Sequence, residues 1–290
     1  MSPQHYWQLD VFAERPLGGN GLAVFADARG LADATLQALT QELRQFETLF
    51  LYPTAQLDTY GARIFTLEEE LPFAGHPLLG AAALLHHIHQ RGEQEHWTLQ
   101  LAAKDVNLTT RRHGQGFIAQ MNQGQAQFGA VLDDEARRWF AEAFSLQASD
   151  LAGYPASVVS TGLPYLLLPV RGEALGRIRQ RAELSTPMGE RLAALGAAFV
   201  FLLDVDGREG RTWDSAGLVE DIATGSAAGP VAAYLVELGK ARRGETFELH
   251  QGRFLGRPSL LEVRVGDDDQ VQVGGKVQLL ARAELLCRLD

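Results

Sequence analysis

Cysteine is almost absent: the 290-residue chain holds one, Cys287. That excludes an intrachain disulfide and any multi-thiolate zinc site, and a reducing, cytoplasmic setting is expected. Basic residues are in deficit, 26 Lys and Arg against 36 Asp and Glu, for a net charge of −10. They come as scattered pairs (Arg111-Arg112, Arg137-Arg138, Arg242-Arg243) and form no stripe. Nucleic-acid binding, which needs clustered cations to displace counterions, is not expected. No apolar run approaches the roughly 20 residues of a membrane span, so no membrane partner is expected. The opening residues, MSPQHYWQLDVFAERP, lack the basic-then-apolar order of a signal peptide. Nucleotide loops are missing too. No G-x-G-x-x-G follows a strand pattern, and Gly274-Gly275-Lys276 lacks the upstream glycine and following hydroxyl of a P-loop. Gly225-Ser226-Ala227-Ala228-Gly229 has its serine one position too early for a nucleophile elbow. In His86-His87-Ile88-His89 only two histidines share a helix face, and no carboxylate completes a set. Neither a cofactor nor a metal is expected.

What remains is an ordinary globular composition, 46% hydrophobic and 21% charged, on a chain long enough for two domains. Alternating β-formers at 5–13 and 22–25 flank the turn Gly18-Gly19-Asn20-Gly21. Leu36, Leu39 and Leu43 mark a helix over 32–44, and Pro77 to His89 reads as another. Strands are expected at 49–52, 63–65, 96–103, 106–111 and 116–121. The Gln- and Gly-rich stretch 122–129 reads as a linker. Beyond it come helices at 133–144, 172–182, 187–195 and 227–240, among strands at 157–160, 165–170, 197–204, 211–213, 245–250, 257–265, 270–274 and 276–288. Strands dominate without regular βαβ alternation, so the fold class is α+β.

The most informative stretch is Arg63 to Leu85, a short strand, an acidic patch, and Gly75-His76-Pro77 opening an alanine-rich helix. The first turn of a helix offers unpaired N–H groups and the positive end of its dipole, an anion site. The stretch recurs. With Gly75 placed on Gly225, His76 falls on Ser226, Glu70 on Glu220, Ala82 and Ala83 on Ala232 and Ala233, and Leu85 on Leu235. Upstream, Arg63-Ile64-Phe65-Thr66 matches Arg211-Thr212-Trp213-Asp214 with a two-residue shift. Two related domains are expected, over 1–121 with 276–290 and over 130–275, their helix starts facing one carboxylated ligand across a cleft.

Glu47, at a helix-to-strand junction between Phe46 and Leu49-Phe50-Leu51, is the sharpest chemical candidate. Partial desolvation there would raise its pKa toward working pH and suit it to proton transfer; the plain alternative is a solvated loop acid. His76 at a helix start would be kept neutral, as in the triosephosphate isomerase that serves as a general example of such tuning, or would merely cap the helix. Asp221 is a second carboxylate or an exposed acid. Ser226 is an anion donor or a cap.

In Asp10-Val11-Phe12 with Gly18-Gly19-Asn20, Glu47-Thr48, Glu70-Leu71-Pro72-Phe73-Ala74-Gly75-His76-Pro77, Ser160-Thr161-Gly162-Leu163-Pro164, Glu220 to Ala227, and Gln251-Gly252 with Gly256-Arg257-Pro258-Ser259, the chain resembles the PhzF family of phenazine biosynthesis. The resemblance implies the diaminopimelate-epimerase-like fold, with two pseudo-symmetric domains, each a mostly antiparallel sheet around a central helix, and the last strand returning to the first domain. It also implies a homodimer. A glutamate that shuttles a proton between carbons of a dihydro-hydroxyanthranilate without a cofactor corresponds by motif to Glu47. His76, Asp221 and Ser226 match the assisting residues, and Gly75, Thr224 and Gly225 would bind substrate. The pattern departs at Gly21, Leu67, Leu78 and Ile222, none of them a catalytic position. Two-thiol epimerisation is excluded because Cys287 stands elsewhere. The expected function is a cofactor-independent isomerase moving a proton between carbons of a small carboxylated substrate. A racemase or epimerase using Glu47 and Asp221, and a non-catalytic binding protein of the same fold, are the alternatives.

Overall fold

The computed structural model describes residues 4–102, 104–213, 219–287 and 289. Asp214, the last residue of the second repeat's strand motif, lies outside them, as do residues 1–3, 103, 288 and 290. The chain divides into two compact units, Met1–Asn122 with Gly274–Asp290, and Gln123–Val273.

The first unit begins with β1 (His5–Val11) and β2 (Asn20–Phe25), joined through the left-handed turn residue Gly19. Helix α1 (Asp33–Leu43) leads to β3 (Glu47–Pro53), β4 (Thr59–Phe65) and the two-residue β5 (Glu70–Leu71). Helix α2 (Gly75–His89) is followed by β6 (Gln94–Gln100), β7 (Asp105–His113) and β8 (Gly116–Gln125). Neighbours run β1-β2-β3-β4-β6-β7-β8, and the late strand β16 (Gln270–Glu284) lies beside β8 and pairs antiparallel with β1. The sheet therefore closes on itself. The pairs β2–β3 and β4–β6 are parallel, and β1–β2, β3–β4, β6–β7 and β7–β8 are antiparallel. Helix α2 is the core of this ring: Gly75 to His86 are all buried, as a helix apolar on every face must be. A Cβ at Gly80 would overlap the Leu22 side chain, so glycine there lets α2 approach β2 closely. Helix α1 packs outside, with Leu36 and Leu39 against Phe25, Phe50 and Phe65.

The second unit repeats the scheme. It holds β9 (Gln127–Val131), α3 (Asp134–Ala143), β10 (Ser157–Ser160), β11 (Pro164–Pro169), α4 (Ser185–Ala194), β12 (Phe199–Asp204), β13 (Glu209–Thr212), α5 (Gly225–Glu237), β14 (Thr246–Gln251) and β15 (Ser259–Val265). Neighbours run β9-β10-β11-β12-β13-β14-β15, then the first residues of β16. The corresponding pairs, β11–β12 and β13–β14, are parallel here too. From β10 onward the order strand, strand, outer helix, strand, strand, central helix, then three strands ending in β16 matches that of the first unit from β1, apart from the two-residue β5; β9 and α3 precede it. It places α5 where α2 stands and α4 where α1 stands. On the sheet's other face, Phe140 and Phe144 of α3 and Met188 and Leu192 of α4 pack on Leu166, Leu168, Val200 and Leu202.

The architecture is thus the α+β fold with two pseudo-symmetric halves. Three local readings change. Residues 122–129 are strand and not loop, the end of β8 and the start of β9, because a polar strand is stable where its backbone bonds are made in a sheet and its side chains alternate between faces. The helix expected over 172–182 is a short 3-10 turn, Gly172–Arg177. Both central helices start two residues earlier than the pattern indicates, so Pro77 is the third helical residue, still inside the turn where no N–H is required.

The repeat is also visible in its side chains. Arg63 grips Glu70 with two bonds, 2.8 and 2.6 Å, and lies 5.2 Å above the Phe65 ring. Arg211 grips Glu220 with two bonds of 2.6 Å and lies 4.9 Å above the Trp213 ring. The first pair is partly exposed, its side chains 29% and 39% accessible; the second is buried, 7% and 10%. Removing one partner of a buried pair strands the other charge, whereas a solvated pair is worth little. Arg211→Met is therefore expected to lower stability by about 3–5 kcal/mol and Arg63→Met by no more than about 1 kcal/mol. Urea unfolding of both variants checks this; equal losses would contradict it.

Candidate active site

Glu47 is the first residue of β3 and is 5% exposed. It sits opposite Leu22 in the parallel β2–β3 pair, which fixes its place in the sheet. His76 is the second residue of α2, is 4% exposed, and turns Nδ1 to within 3.1 Å of Glu47 Oε2. The side-chain amide of Asn20, first residue of β2 and fully buried, stands 3.4 Å from the same nitrogen. Burial pushes the His76 pKa down to about 3, against the opposing effect of a hydrogen bond to the backbone of Gly21. The ring is neutral at physiological pH. Its Nε2 is buried and has no hydrogen-bond partner among the described residues. A neutral imidazole beside a buried carboxyl group is suited to holding a proton-transfer residue without competing for its proton.

In the second unit Asp221, Thr224, Gly225 and Ser226 surround the start of α5. Thr224 is the N-cap, Gly225 the first helical residue and Ser226 the second; no side chain caps the helix. The Thr224 hydroxyl donates to Asp221 Oδ2 at 2.5 Å. Ser226 does not cap α5; its Oγ is 2.8 Å from the hydroxyl of Tyr165, which is itself 3% exposed and stacked on Phe199. Gly75 and Gly225 are both buried at uncapped helix starts, of α2 and α5. The first unit thus brings Glu47 and His76 together, and the second brings Asp221 and Thr224 together next to Gly225 and Ser226. Of the departures, Leu78 is wholly buried inside α2, and Ile222 is half-buried ahead of α5.

Several polar residues were not singled out as site residues from sequence. Asn20 touches His76 at the start of β2, and Tyr165 touches Ser226 near the start of β11, the matching strand. Two buried glutamines hold the start of α5. Gln123 donates to the Gly225 carbonyl (2.9 Å) and accepts from Thr161 (2.9 Å). Gln251 accepts from the Thr224 N–H (3.1 Å) and donates to the Asp221 carbonyl (3.0 Å) and Thr224 Oγ1 (3.0 Å). The available signal was register: each glutamine continues the buried alternation of its strand, where an unsatisfied amide would be costly.

Residues 9–283 match the family model described as phenazine biosynthesis-like protein. An isomerase of Escherichia coli, described as uncharacterized, is 30% identical over all of both chains. A trans-2,3-dihydro-3-hydroxyanthranilate isomerase of Pseudomonas chlororaphis is 32% identical, covering 97% of this chain and 99% of its own. A structure described as a predicted epimerase of Pseudomonas aeruginosa superposes with a TM-score of 0.93 at 68% identity, over 98% of this chain and 100% of that one. A PhzF-family structure from Bacillus anthracis, 22% identical with a TM-score of 0.83 over 99% and 100% of the two chains, shares the fold. With a family model spanning nearly its whole length and full-length relatives that are isomerases, the chain belongs to the phenazine biosynthesis-like PhzF family and is an isomerase.

Proposed function

We propose that the protein is a cofactor-independent isomerase in which Glu47 takes a proton from one carbon of a small carboxylated substrate and returns it to another. The observation that carries this reading is the Glu47 carboxyl group, 5% exposed, 3.1 Å from an imidazole that burial keeps neutral. A carboxylate withdrawn from water is a stronger base than a solvated one, and a neutral neighbour does not neutralise it. The proton leaves carbon for Glu47, the electron pair shifts through the adjacent unsaturated system, and the same proton is delivered from Glu47 to the carbon at its far end. The carboxylate is regenerated, and nothing is oxidised or reduced. His76 positions Glu47. Asp221 assists from the second unit. The N–H groups of Gly75, Thr224 and Gly225 and the hydroxyl of Ser226 hold the substrate anion, since uncapped helix starts favour negative charge. The relatives' activity supplies the first substrate to try, trans-2,3-dihydro-3-hydroxyanthranilate.

Glu47→Gln is expected to reduce kcat by about 10²–10⁴-fold, the usual scale for losing a general acid–base, while binding persists; turnover near the wild-type rate in that variant rules out Glu47 as the shuttle. Reaction in D₂O separates isomerisation from epimerisation. Double-bond migration with exchange at a new carbon supports the proposal, whereas inversion with label at a single carbon supports the two-carboxylate epimerase.

The neutral state of His76 has a second measurable consequence. Its pKa lies near 3 when folded and near 6.5 when unfolded, so between those values the unfolded chain binds the extra proton. Folding stability therefore falls as pH drops from about 6.5 toward 3, by up to about 1.4 kcal/mol per pH unit from this residue. In His76→Asn that contribution is absent, and the acid limb of a stability–pH curve becomes shallower. Identical slopes for the two proteins between pH 6.5 and 4 would exclude it.

A further inference from the structure

The amide of Gln251, 3% exposed at the end of β14, is wired to the Asp221–Thr224 loop at three points. The loop comes so near that a Cβ at the next residue, Gly252, would lie 2.7 Å from the Ile222 carbonyl. The three bonds of the Gln251 amide each have one possible direction. The Thr224 N–H can only donate, so the atom it meets at 3.1 Å is Gln251 Oε1. Gln251 Nε2 is then the donor to the Asp221 carbonyl and to Thr224 Oγ1, both at 3.0 Å. The Thr224 hydroxyl, receiving that N–H, has a single proton left to give, and its contact is Asp221 Oδ2 at 2.5 Å. With that proton given to Asp221 Oδ2, the chain of bonds ends on Asp221 as an acceptor.

We propose that Gln251 is a positioning residue that fixes Asp221 Oδ2 as a hydrogen-bond acceptor, so that Asp221 serves the reaction as an oriented carboxylate and not as a second proton donor. The proposal rests on the reading of Asp221 as an assisting residue. It makes the two carboxylates unequal: Glu47 carries the proton, and Asp221 is held in one state by a network that runs through the Thr224 hydroxyl to a buried amide. Glutamate in place of Gln251 keeps an oxygen for the Thr224 N–H but offers no donor to Thr224 Oγ1. Leucine offers neither.

The test uses the full chain with Gln251→Glu and Gln251→Leu, their fold checked by circular dichroism. The Asp221 carboxyl ¹³C resonance, assigned by its loss in Asp221→Asn, is expected to move in both variants, while the Glu47 signal stays in place. Thr224 amide exchange is expected to be slow in the wild type and in Gln251→Glu and fast in Gln251→Leu. An unmoved Asp221 signal overturns the proposal. So does fast exchange of the Thr224 amide in the wild type, a measurement that needs no variant to fold. With trans-2,3-dihydro-3-hydroxyanthranilate, Gln251→Glu is expected to lower kcat about tenfold or more at unchanged KM; a wild-type kcat in that variant overturns the proposal too. A wild-type protein inactive on this compound counts against the isomerase reading for that substrate, and the resonance and exchange data still decide the role of Gln251.

Discussion

A helix buried on every side is the constraint from which the rest of each unit follows. Gly75 to His86 of α2 and nearly all of α5 are shielded from water, so neither helix start can rely on solvent for its first N–H groups. Neither has a side-chain cap. Small residues are needed there for close packing: glycine opens both helices, and Gly229 lies where a Cβ would overlap Gln123 Oε1. Burying a helix start in this way leaves a positive, donor-rich end inside a protein whose overall charge is −10. Net charge and the local field at a helix end are separate properties, and here they have opposite signs.

Around that constraint the two units use one plan with different polar residues. The second helical residue is His76 in α2 and Ser226 in α5, and each meets a residue near the start of the matching strand, Asn20 for the histidine and Tyr165 for the serine. The strand arginine, the aromatic two positions on and the glutamate ahead of the central helix are the same in both. What differs is environment. The Arg211–Glu220 pair is buried and takes a third bond from Arg211 to the Leu175 carbonyl (2.6 Å), whereas Arg63 shares its charge with Asp33 at the surface. Fork-shaped pairing tolerates both settings because the guanidinium donors match a carboxylate wherever the two are held coplanar.

Much of this was legible in sequence, and the reasons are local. The repeat shows because Arg63, Glu70 and Gly75 and their partners Arg211, Glu220 and Gly225 keep nearly the same spacing, and glycine-started apolar helices have a recognisable composition. Glu47 stands out because an acid flanked by Phe46 and Leu49-Phe50-Leu51 is unusual. Helix starts were misplaced by two residues because glycine and histidine score poorly as helix formers, while tertiary packing, not propensity, sets where α2 and α5 begin. The strands through 122–129 were missed because glutamines look like linker until their sheet partners are known. The partners of Gln123 and Gln251, as distinct from their inward-facing register, were illegible for a related reason. These partners lie 102 and 27 residues away along the chain, and no periodicity encodes a contact of that kind.

The inequality of the two carboxylates bears on how such a fold can host different proton-transfer reactions. An epimerase that works from both faces of one carbon needs two groups that exchange roles, each able to hold the proton in turn. Here one acid, Glu47, is buried beside a ring that stays neutral, and the other, Asp221, receives a hydroxyl proton fixed by a buried amide. On the proposed assignment of both acids to the reaction, one mobile proton and one fixed acceptor favour taking and returning the proton on a single face. Return of the proton on one face is what a shift between carbons requires, whereas inversion at one carbon requires a second acid free to give its proton up.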